Sequence, residues 1–354
     1  MSYTPFNAPI LSGLLGDRET AACFSVKVEI TAMALFEAAL ARATAAAGLI
    51  PEEAGEAIAS VCSHFEPDMA RLGAATERDG VCVPDLVSQL RQALDEDYAE
   101  YVHFGATSRD VVDTALMIRM KPVVAMLRDR LMAIAGKLSE LDGRFGGNSF
   151  MARTRMRAAT ETSVSQRLAI WKEPIERNLS RLEELAPRLL SIQLGGPFGA
   201  RGAYGDKADS VAARIGQILG LSVPERSWHA GRDTIAEFAS LLSLVTGALG
   251  MIGQDVERMV RDEIVEIALA ERGGSPAVAH TKNPVLAEAL VTLARFNATL
   301  VSGMHQTVVH EQECSAAAWT LEWMLLPQMC IAAGAATRTT LALLARIERI
   351  GSPV

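Results

Sequence analysis

The chain has 354 residues, a formal net charge of −8 at pH 7 and 49% hydrophobic side chains, which suffices for one large core or two to three smaller ones. The acidic balance, with an isoelectric point near 5.4, disfavours a nucleic-acid surface, because phosphate binding needs a basic face. No N-terminal stretch joins a basic flank to an apolar core, and no run of about 18 uncharged apolar residues occurs, so neither a signal peptide nor a membrane span is predicted.

The cysteines are odd in number, widely spaced and free of any C-x-x-C pair, which disfavours a disulfide framework and a zinc ribbon and fits a reducing cytoplasm. They are Cys23, Cys62, Cys82, Cys314 and Cys330. No H-E-x-x-H, EF-hand, P-loop or dinucleotide fingerprint is present. The sequence therefore predicts no metal and no nucleotide cofactor.

Alanine and leucine dominate and strand-like alternation is scarce, so the chain is predicted to be nearly all α. In chain order, one helix is expected over residues 24–47, a second begins at Pro51, and a third follows a loop at 79–89. Further helices are expected over 111–141, 161–192, 233–271, 285–312 and 320–347. A loop is expected at 142–160, and a glycine-rich segment, QLGGPFGARGAYGD, follows the helix at 161–192.

The clearest periodicity alternates steps of four and three residues, as in the seam of a bundle helix. Its positions are Phe238, Leu242, Val245, Leu249, Ile252, Val256 and Met259. A helix over 233–271 would be about 55–60 Å long and stable only when packed side by side with others. The predicted fold is a long antiparallel helical bundle over residues 101–354, with a smaller N-terminal helical domain at 1–100, and so extended a seam favours an oligomer.

Three polar segments interrupt the bundle: HFGATSRD at 103–110, ARTRMRAATET at 152–162 and GGSPAVAHTKNP at 273–284. By themselves they have ordinary interpretations. The first has Thr107 or Ser108 as a helix N-cap with Asp110 in the first turn. The second is either a solvated charge run or, if extended, a cationic edge. The third is a helix-to-helix loop that glycines begin and Pro284 ends.

Together the three segments resemble the fumarase/aspartase superfamily, whose members are all-α homotetramers with an active site shared among separated segments. HFGATSRD matches H-x-G-x-T-S-x-D at every defined position, and GGSPAVAHTKNP lies where that family has G-S-S-x-M-P-x-K-x-N-P. FEAALARA, WHAGRDTIAEFASLLSLVTG, LVTLARFNA and EQECSAAAWTLEWMLLPQM are similar to bacterial 3-carboxy-cis,cis-muconate and 3-sulfomuconate cycloisomerases. The resemblance covers nearly the whole chain, but the small C-terminal helical domain common in these enzymes is expected to be absent or vestigial.

The resemblance implies that residues 273–284 form a mobile catalytic loop and that Ser275 is the general base for a proton α to a carboxylate. The alternative is that Ser275 is only a polar loop residue. Positions matching the family, or offering positive charge to an anion, are expected to bind substrate. They are His103, Thr107, Ser108, Arg153, Thr154, Arg155, Arg157, Arg232, Lys282 and Asn283.

The loop departs from the family pattern. Pro276 replaces the second serine, Thr281 replaces the lysine with Lys282 displaced by one residue, and Cys314 stands where cycloisomerases have arginine. Arg155 replaces the histidine of T-H-x-Q. Lyases that expel an amine or hydroxide need a general acid, whereas the carboxylate that leaves when a lactone opens is stable without a proton.

The resulting hypothesis is a cofactor-free cycloisomerase of aromatic catabolism that lactonises 3-carboxy-cis,cis-muconate or a close analogue such as 3-sulfomuconate. The alternatives are a lyase that releases fumarate from another dicarboxylate, or a catalytically inactive paralogue. The expected partners are a small anionic di- or tricarboxylate substrate and further copies of the chain, most simply in a homotetramer. No nucleic acid or membrane partner is expected.

Overall fold

The computed structural model describes residues 4–270, 273–274, 282–313 and 315–353. The described α-helices are α1 Ser12–Leu15, α2 Arg18–Ala22, α3 Val26–Ala46, α4 Glu52–Ser63, α5 Met69–Asp79, α6 Val83–Gln92, α7 Glu96–Ala99, α8 Ser108–Phe145, α9 Val164–Leu189, α10 Ala208–Leu219, α11 Asp233–Met259, α12 Val285–Gln306 and α13 Ala316–Ala345. The strands are β1 Ser149–Thr154, β2 Arg157–Ser163, β3 Ile267–Leu269, β4 Gly273–Gly274, β5 Lys282–Asn283 and β6 Ile347–Ile350, and a 3-10 helix covers Gly202–Lys207.

Five long helices, α8, α9, α11, α12 and α13, pack side by side as a bundle in which consecutive members run antiparallel. The N-termini of α8, α11 and α13 therefore meet at one end of the bundle, which we call the His103 end. The other end carries the strands β1 and β2 and is called the hairpin end. Because α8 has 38 residues, the two ends are about 57 Å apart at 1.5 Å per residue.

The predicted all-α bundle is confirmed, and all seven predicted seam residues of α11 are buried. The predicted end of α11 at residue 271 is wrong, because the helix stops at Met259. Val265 then takes a left-handed backbone with φ 48°, and β3 pairs antiparallel with β6. The apolar seam ends where the helix ends, and hydrogen bonds to a strand far along the chain decide the path beyond it.

The predicted loop at 142–160 is also wrong in part, since residues 149–163 form an antiparallel hairpin. Its two-residue turn places Arg155 at φ 49° and Met156 at φ 67°. Two consecutive positive φ values are what a tight hairpin turn requires, because they match the twist of the strands. Residues other than glycine usually avoid positive φ, so the pairing of the two strands holds Arg155 and Met156 in a backbone conformation that they would not prefer locally.

The N-terminal helices share the bundle's hydrophobic core: α3 packs on α4, α8 and α10, while α1 and α2 contact α13. By length and composition alone, α11 and α12 could cross a membrane, with 61% and 28% of their apolar windows buried. The two helices pack on each other and on α13, so both are members of the helical bundle.

A glycine at the crossing of α11 and α12 gives a test of this packing. A Cβ added at Gly253 would lie 2.6 Å from the Ala287 carbonyl oxygen and 2.9 Å from the Leu290 Cβ. We expect Gly253→Ala to lower the free energy of unfolding by about 1–3 kcal/mol through overpacking. Urea denaturation followed by circular dichroism measures it.

The control is Gly143→Ala, in α8, where nothing lies within 4 Å of an added Cβ. Alanine there should raise the free energy of unfolding by up to about 1 kcal/mol, because it favours helix. Equal effects of the two substitutions would contradict the close approach of α11 and α12.

Candidate active site

The first polar segment leads into α8 through a capping box. Thr107 is the N-cap: its side chain accepts from the backbone of Asp110, while its own N–H donates to Asp110 Oδ2 over 3.0 Å. Ser108 is the first helical residue and is half-buried. The capping interpretation of this segment is confirmed, and it leaves the polar groups of the segment at the positive end of a helix dipole, where anions bind.

The carboxylate of Asp110, fully buried, joins two further segments to this cap. Its Oδ1 accepts from the Gly195 N–H (2.8 Å), from Gln193 Nε2 (3.2 Å) and from His229 Nε2 (3.1 Å). Its Oδ2 accepts from the Gly196 N–H at 2.9 Å. Since a carboxylate only accepts, Nε2 of His229 is the donor in this contact.

The backbone conformation at Gly196 and its closeness to Gly105 require a residue without a side chain. Its φ is +64°, and a Cβ there would lie 2.9 Å from the Gly105 carbonyl oxygen. A side chain would therefore be strained by the backbone and would separate the two segments.

His103 lies at the same end and contacts a residue that motif matching had not singled out. Its Nδ1 is 2.6 Å from Oε1 of Glu37 on α3, and its backbone is left-handed, with φ 65°. The His103 side chain is 16% exposed and that of Glu37 is 0% exposed. Burial alone would lower the pKa of His103, but the charge and hydrogen bond of Glu37 outweigh it and raise the pKa above its ordinary value.

Arg232, at the N-cap of α11, is fully buried in a cluster of charges between three helices. Its guanidinium binds both oxygens of Asp113 on α8, at 2.9 and 3.1 Å, and both oxygens of Glu322 on α13, through Nε at 3.1 Å and through Nη2. The Trp319 indole N–H also donates to Asp113, at 2.9 Å. Burial opposes the charge of Arg232, but the two carboxylates raise its pKa, so the guanidinium stays ionised.

These contacts leave Arg232 committed to protein groups, and we assign it the positioning of α8, α11 and α13 rather than direct contact with an anion. Arg109 completes the junction: it donates to the His229 carbonyl at 2.6 Å and the Ser315 carbonyl at 2.8 Å, and it lies 4.4 Å from the centre of the Trp319 ring.

At the hairpin end, the three arginines of the second polar segment separate. Arg153 binds both oxygens of Glu266, at 2.6 and 2.7 Å. Arg155 is in the turn, while Arg157 and Thr154 are exposed and pair with each other across the hairpin. The expected single cationic edge is therefore wrong, because the turn at Arg155 interrupts the alternation on which it depended.

A cavity of about 330 Å³ lies beneath the hairpin. Its charged lining consists of Arg153, Arg155, Arg167, Arg258, Asp255 and Glu266. Arg167 donates to Asp255 at 2.8 Å. The two acids of the lining are paired with Arg153 and Arg167, and within the described part of the chain neither Arg155 nor Arg258 forms a salt bridge, so the cavity lining keeps an excess of positive charge that suits a carboxylate ligand.

The third polar segment is only partly described. Ser275, Pro276 and Thr281 lie outside the described residues, as does Cys314. The backbone of Lys282 pairs with Gly274, and half-buried Asn283 pairs with Gly273. Gly253 near the end of α11 lies against the start of α12, so the described residues just before α12, Lys282 and Asn283, lie at the hairpin end.

Within one chain, then, the predicted residues fall into two groups. His103, Thr107, Ser108 and Arg232 are at the His103 end. The other expected substrate-binding residues, Arg153, Thr154, Arg155, Arg157, Lys282 and Asn283, are at the hairpin end. No group of three His, Cys, Asp or Glu side chains forms a metal site in the part of the chain that the structure describes.

Several residues of the site were not predicted from the sequence, among them Glu37, Asp113, Gln193 and Glu322 at the His103 end. One signal was available for the three acids, because each interrupts an apolar helical run: Glu37 between Phe36 and Ala38, for example, in FEAALARA. A charged residue on a buried helix face needs a partner, but the sequence does not say which.

This fold, a long helical bundle with polar segments at both ends, is that of a known class of enzymes. A family model described as "Lyase" matches residues 13–298. The chain belongs to this lyase family, within the fumarase/aspartase superfamily, as its motifs implied.

Similarity to individual proteins narrows the class of enzyme within this family. The 3-carboxy-cis,cis-muconate cycloisomerase of Pseudomonas aeruginosa is 36% identical over 333 residues, covering 92% of this chain and 72% of that protein. The N-acetyl-S-(2-succino)cysteine lyase of Enterococcus italicus is 32% identical over 316 residues, covering 88% of this chain and 69% of that protein. The crystal structure of 3-carboxy-cis,cis-muconate lactonizing enzyme from Pseudomonas putida has a TM-score of 0.89 at 33% identity, covering 95% and 76% of the two chains. The chain is thus an enzyme of the cycloisomerase type within its superfamily.

Removing the buried arginine tests its positioning role. Arg232→Met would leave the buried side chains of Asp113 and Glu322 without the guanidinium that they both bind, and we expect the free energy of unfolding to fall by about 3–5 kcal/mol. Urea denaturation at pH 7 provides the measurement.

The matched control is Arg188→Met. Arg188 also binds a carboxylate with two nitrogens, that of Glu237, but both side chains are 48% exposed. Solvent screens such a pair, so its loss should change stability little. If the two variants were equally stable, the cluster around Arg232 would not hold the helices together.

Proposed function

We propose that the chain lactonises 3-carboxy-cis,cis-muconate or a close analogue, such as 3-sulfomuconate, without a cofactor. The observation that carries the proposal is Arg155, which stands where many lyases have a histidine and lines a cationic cavity. A guanidinium does not release a proton near neutral pH, so it suits binding of a carboxylate and not acid catalysis. Similarity to 3-carboxy-cis,cis-muconate cycloisomerases over more than nine-tenths of the chain supports the same substrate class.

In this proposal one carboxylate oxygen of the substrate adds to a carbon of the diene. The electron pair of that double bond moves into a conjugated carboxylate and forms an aci-carboxylate. The carbon next to it then takes a proton from the hydroxyl of Ser275, which solvent reprotonates. The lactone carries one negative charge fewer than the substrate, and the aci-carboxylate depends on nearby cations in a dry site.

We also propose a homo-oligomer, most simply a tetramer, in which the His103 end of one chain meets the hairpin end of another. The supporting observation is the length of α8, about 57 Å, which separates His103 from Arg155 within one chain. The same proposal includes a cytoplasmic location. It also divides the chain into an N-terminal domain at 1–100 and a bundle domain at 101–354.

A lyase is the second candidate, supported by the similarity to N-acetyl-S-(2-succino)cysteine lyase. It differs in its product, because elimination from a succinyl adduct releases fumarate while lactonisation releases nothing. Incubation with 3-carboxy-cis,cis-muconate, followed by loss of diene absorbance and nuclear magnetic resonance of the product, tests the first candidate. Release of fumarate from a succinyl thioether, with the muconate left intact, would favour the second. Inertness towards both would favour an inactive paralogue.

The role of Ser275 gives a sharper prediction. Ser275→Ala should lower kcat by about 10²–10⁴-fold with little change in substrate binding, because a lost proton-transfer group acts on the chemical step. Steady-state kinetics and calorimetric binding measure the two effects. Ser302→Ala, at an exposed position of α12, is the control and should retain wild-type kcat. Full activity of Ser275→Ala would place the proton transfer elsewhere.

Sharing of the site between chains predicts complementation. At a substrate concentration well below the KM of either variant, His103→Gln should lose most activity through a raised KM and Ser275→Ala through a lowered kcat, since each removes one part of every site. After the two are unfolded and refolded together in equal amounts, sites that combine two intact parts should return roughly a quarter of wild-type activity, as random mixing in a closed oligomer gives. Sedimentation velocity of each protein establishes the oligomer. No recovery from a properly refolded mixture would mean that each chain builds its own site.

A further inference from the structure

Among the described residues, only one of the two ring nitrogens of His103 has a hydrogen-bond partner, and that partner is a buried carboxylate. Its Nδ1 faces Glu37 Oε1 at 2.6 Å, whereas its Nε2 has no hydrogen-bond partner among the described residues. The left-handed backbone of His103, with φ 65°, is a conformation that costs energy in a residue other than glycine. The contact with Glu37 fixes the ring and leaves Nε2 to meet a ligand.

Glu37 has no other hydrogen-bonding partner in the described part of the chain. Its Oε2 is buried without one, and the whole residue is 1% exposed. A buried carboxylate with a single neutral hydrogen bond is costly, and an adjacent cation reduces the cost. The surroundings of Glu37 therefore favour the doubly protonated ring of His103, whose Nδ1–H donates to Oε1.

Other charged or titratable groups face the pair from each packed element. Asp110 of α8 adds negative charge and favours the imidazolium, while Arg91 of α6, which donates to the Val102 carbonyl at 3.1 Å, opposes it. The Tyr204 hydroxyl of the 3-10 helix and the Cys62 thiol of α4 are the remaining groups.

Both of these last groups are neutral near pH 7. Burial and the nearby carboxylates raise the pKa of Tyr204, and burial together with Glu37 raises the pKa of Cys62 to about 12. The balance of charges around His103 is therefore set by Glu37 and Asp110 against Arg91.

We propose that Glu37 is a positioning residue that keeps His103 in the imidazolium form, with Nε2–H directed at a carboxylate of the substrate beside the N-terminus of α8. The role rests on the proposed function, because it assigns His103 to one carboxylate of the lactonised acid. The two ends of the bundle then bind the substrate with different kinds of charge. A titratable cation acts at the His103 end, and permanently charged arginines act at the hairpin end.

The inference predicts a pH dependence of KM. His103 has a raised pKa in the folded protein, so its charge is present below that pKa and is lost as pH rises through it. KM of the wild type should then rise about tenfold per pH unit above that point, while kcat changes much less. In Glu37→Gln the rise should begin about one to three pH units lower, because the nearest opposite charge is gone. In His103→Gln this pH dependence should vanish.

A second measurement does not need a substrate. The Glu37–His103 attraction stabilises the fold fully below the ordinary histidine pKa, near 6.5, and is lost as pH rises through the raised pKa of the folded state. The wild type should thus exceed Glu37→Gln in Tm at pH 6, and the difference should shrink or reverse by pH 9.

Glu29→Gln is the matched control, since Glu29 lies on the same helix but pairs with Arg119 at 3.1 Å. That pair contains no histidine, so its effect on Tm should lack the change between pH 6 and 9 that a histidine pair produces. A Tm difference for Glu37→Gln that is as constant as that of Glu29→Gln would overturn the inference, as would an unshifted KM profile. If no muconate is lactonised at all, the proposed function fails, and the Tm comparison still decides whether Glu37 holds His103 as a cation.

Discussion

The carboxylate of Asp110 is the contact on which the candidate site depends most. From within the first turn of α8 it accepts hydrogen bonds from the N-cap residue, from the glycine-rich segment at 193–196 and from His229. These groups come from three separate parts of the chain, and none of them could satisfy the carboxylate alone. A buried carboxylate without hydrogen-bond donors would destabilise the fold. Because the donors to Asp110 come from separate segments, their hydrogen bonds to it fix the positions of those segments.

A second group of buried charged side chains supports the hydrogen bonds of Asp110. Arg232 joins the starts of α8, α11 and α13 through two carboxylates, and Arg109 connects the same helices through backbone carbonyls. Three helix N-termini consequently converge at one end of the bundle. Their dipoles add positive potential there without adding a free basic side chain, in a protein whose formal net charge is −8.

The hairpin end obtains its positive charge in a different way. There, two arginines form salt bridges with Glu266 and Asp255, while Arg155 and Arg258 form none among the described residues. Rigid α8 separates these charges from His103 by the length of a bundle. Under the proposed assembly a substrate would be held between a helix-terminus site on one chain and guanidinium groups on another, so oligomerisation and substrate recognition would depend on the same interfaces.

The sequence by itself determined the features that arise from local order. The four-three periodicity located the buried seam of α11, and Thr107 with Asp110 predicted the start of α8, because helical periodicity and capping involve residues within a few positions of one another. Only the tertiary structure decided where α11 ends, that residues 149–163 form a hairpin, and that Arg155 lies in its turn, since these follow from pairing between distant segments. It likewise decided that Glu37 faces His103, 66 residues later, and that Arg232 is occupied by Asp113 and Glu322. A sequence shows that a buried charge needs a partner, but the packing of the helices chooses which residue the partner is.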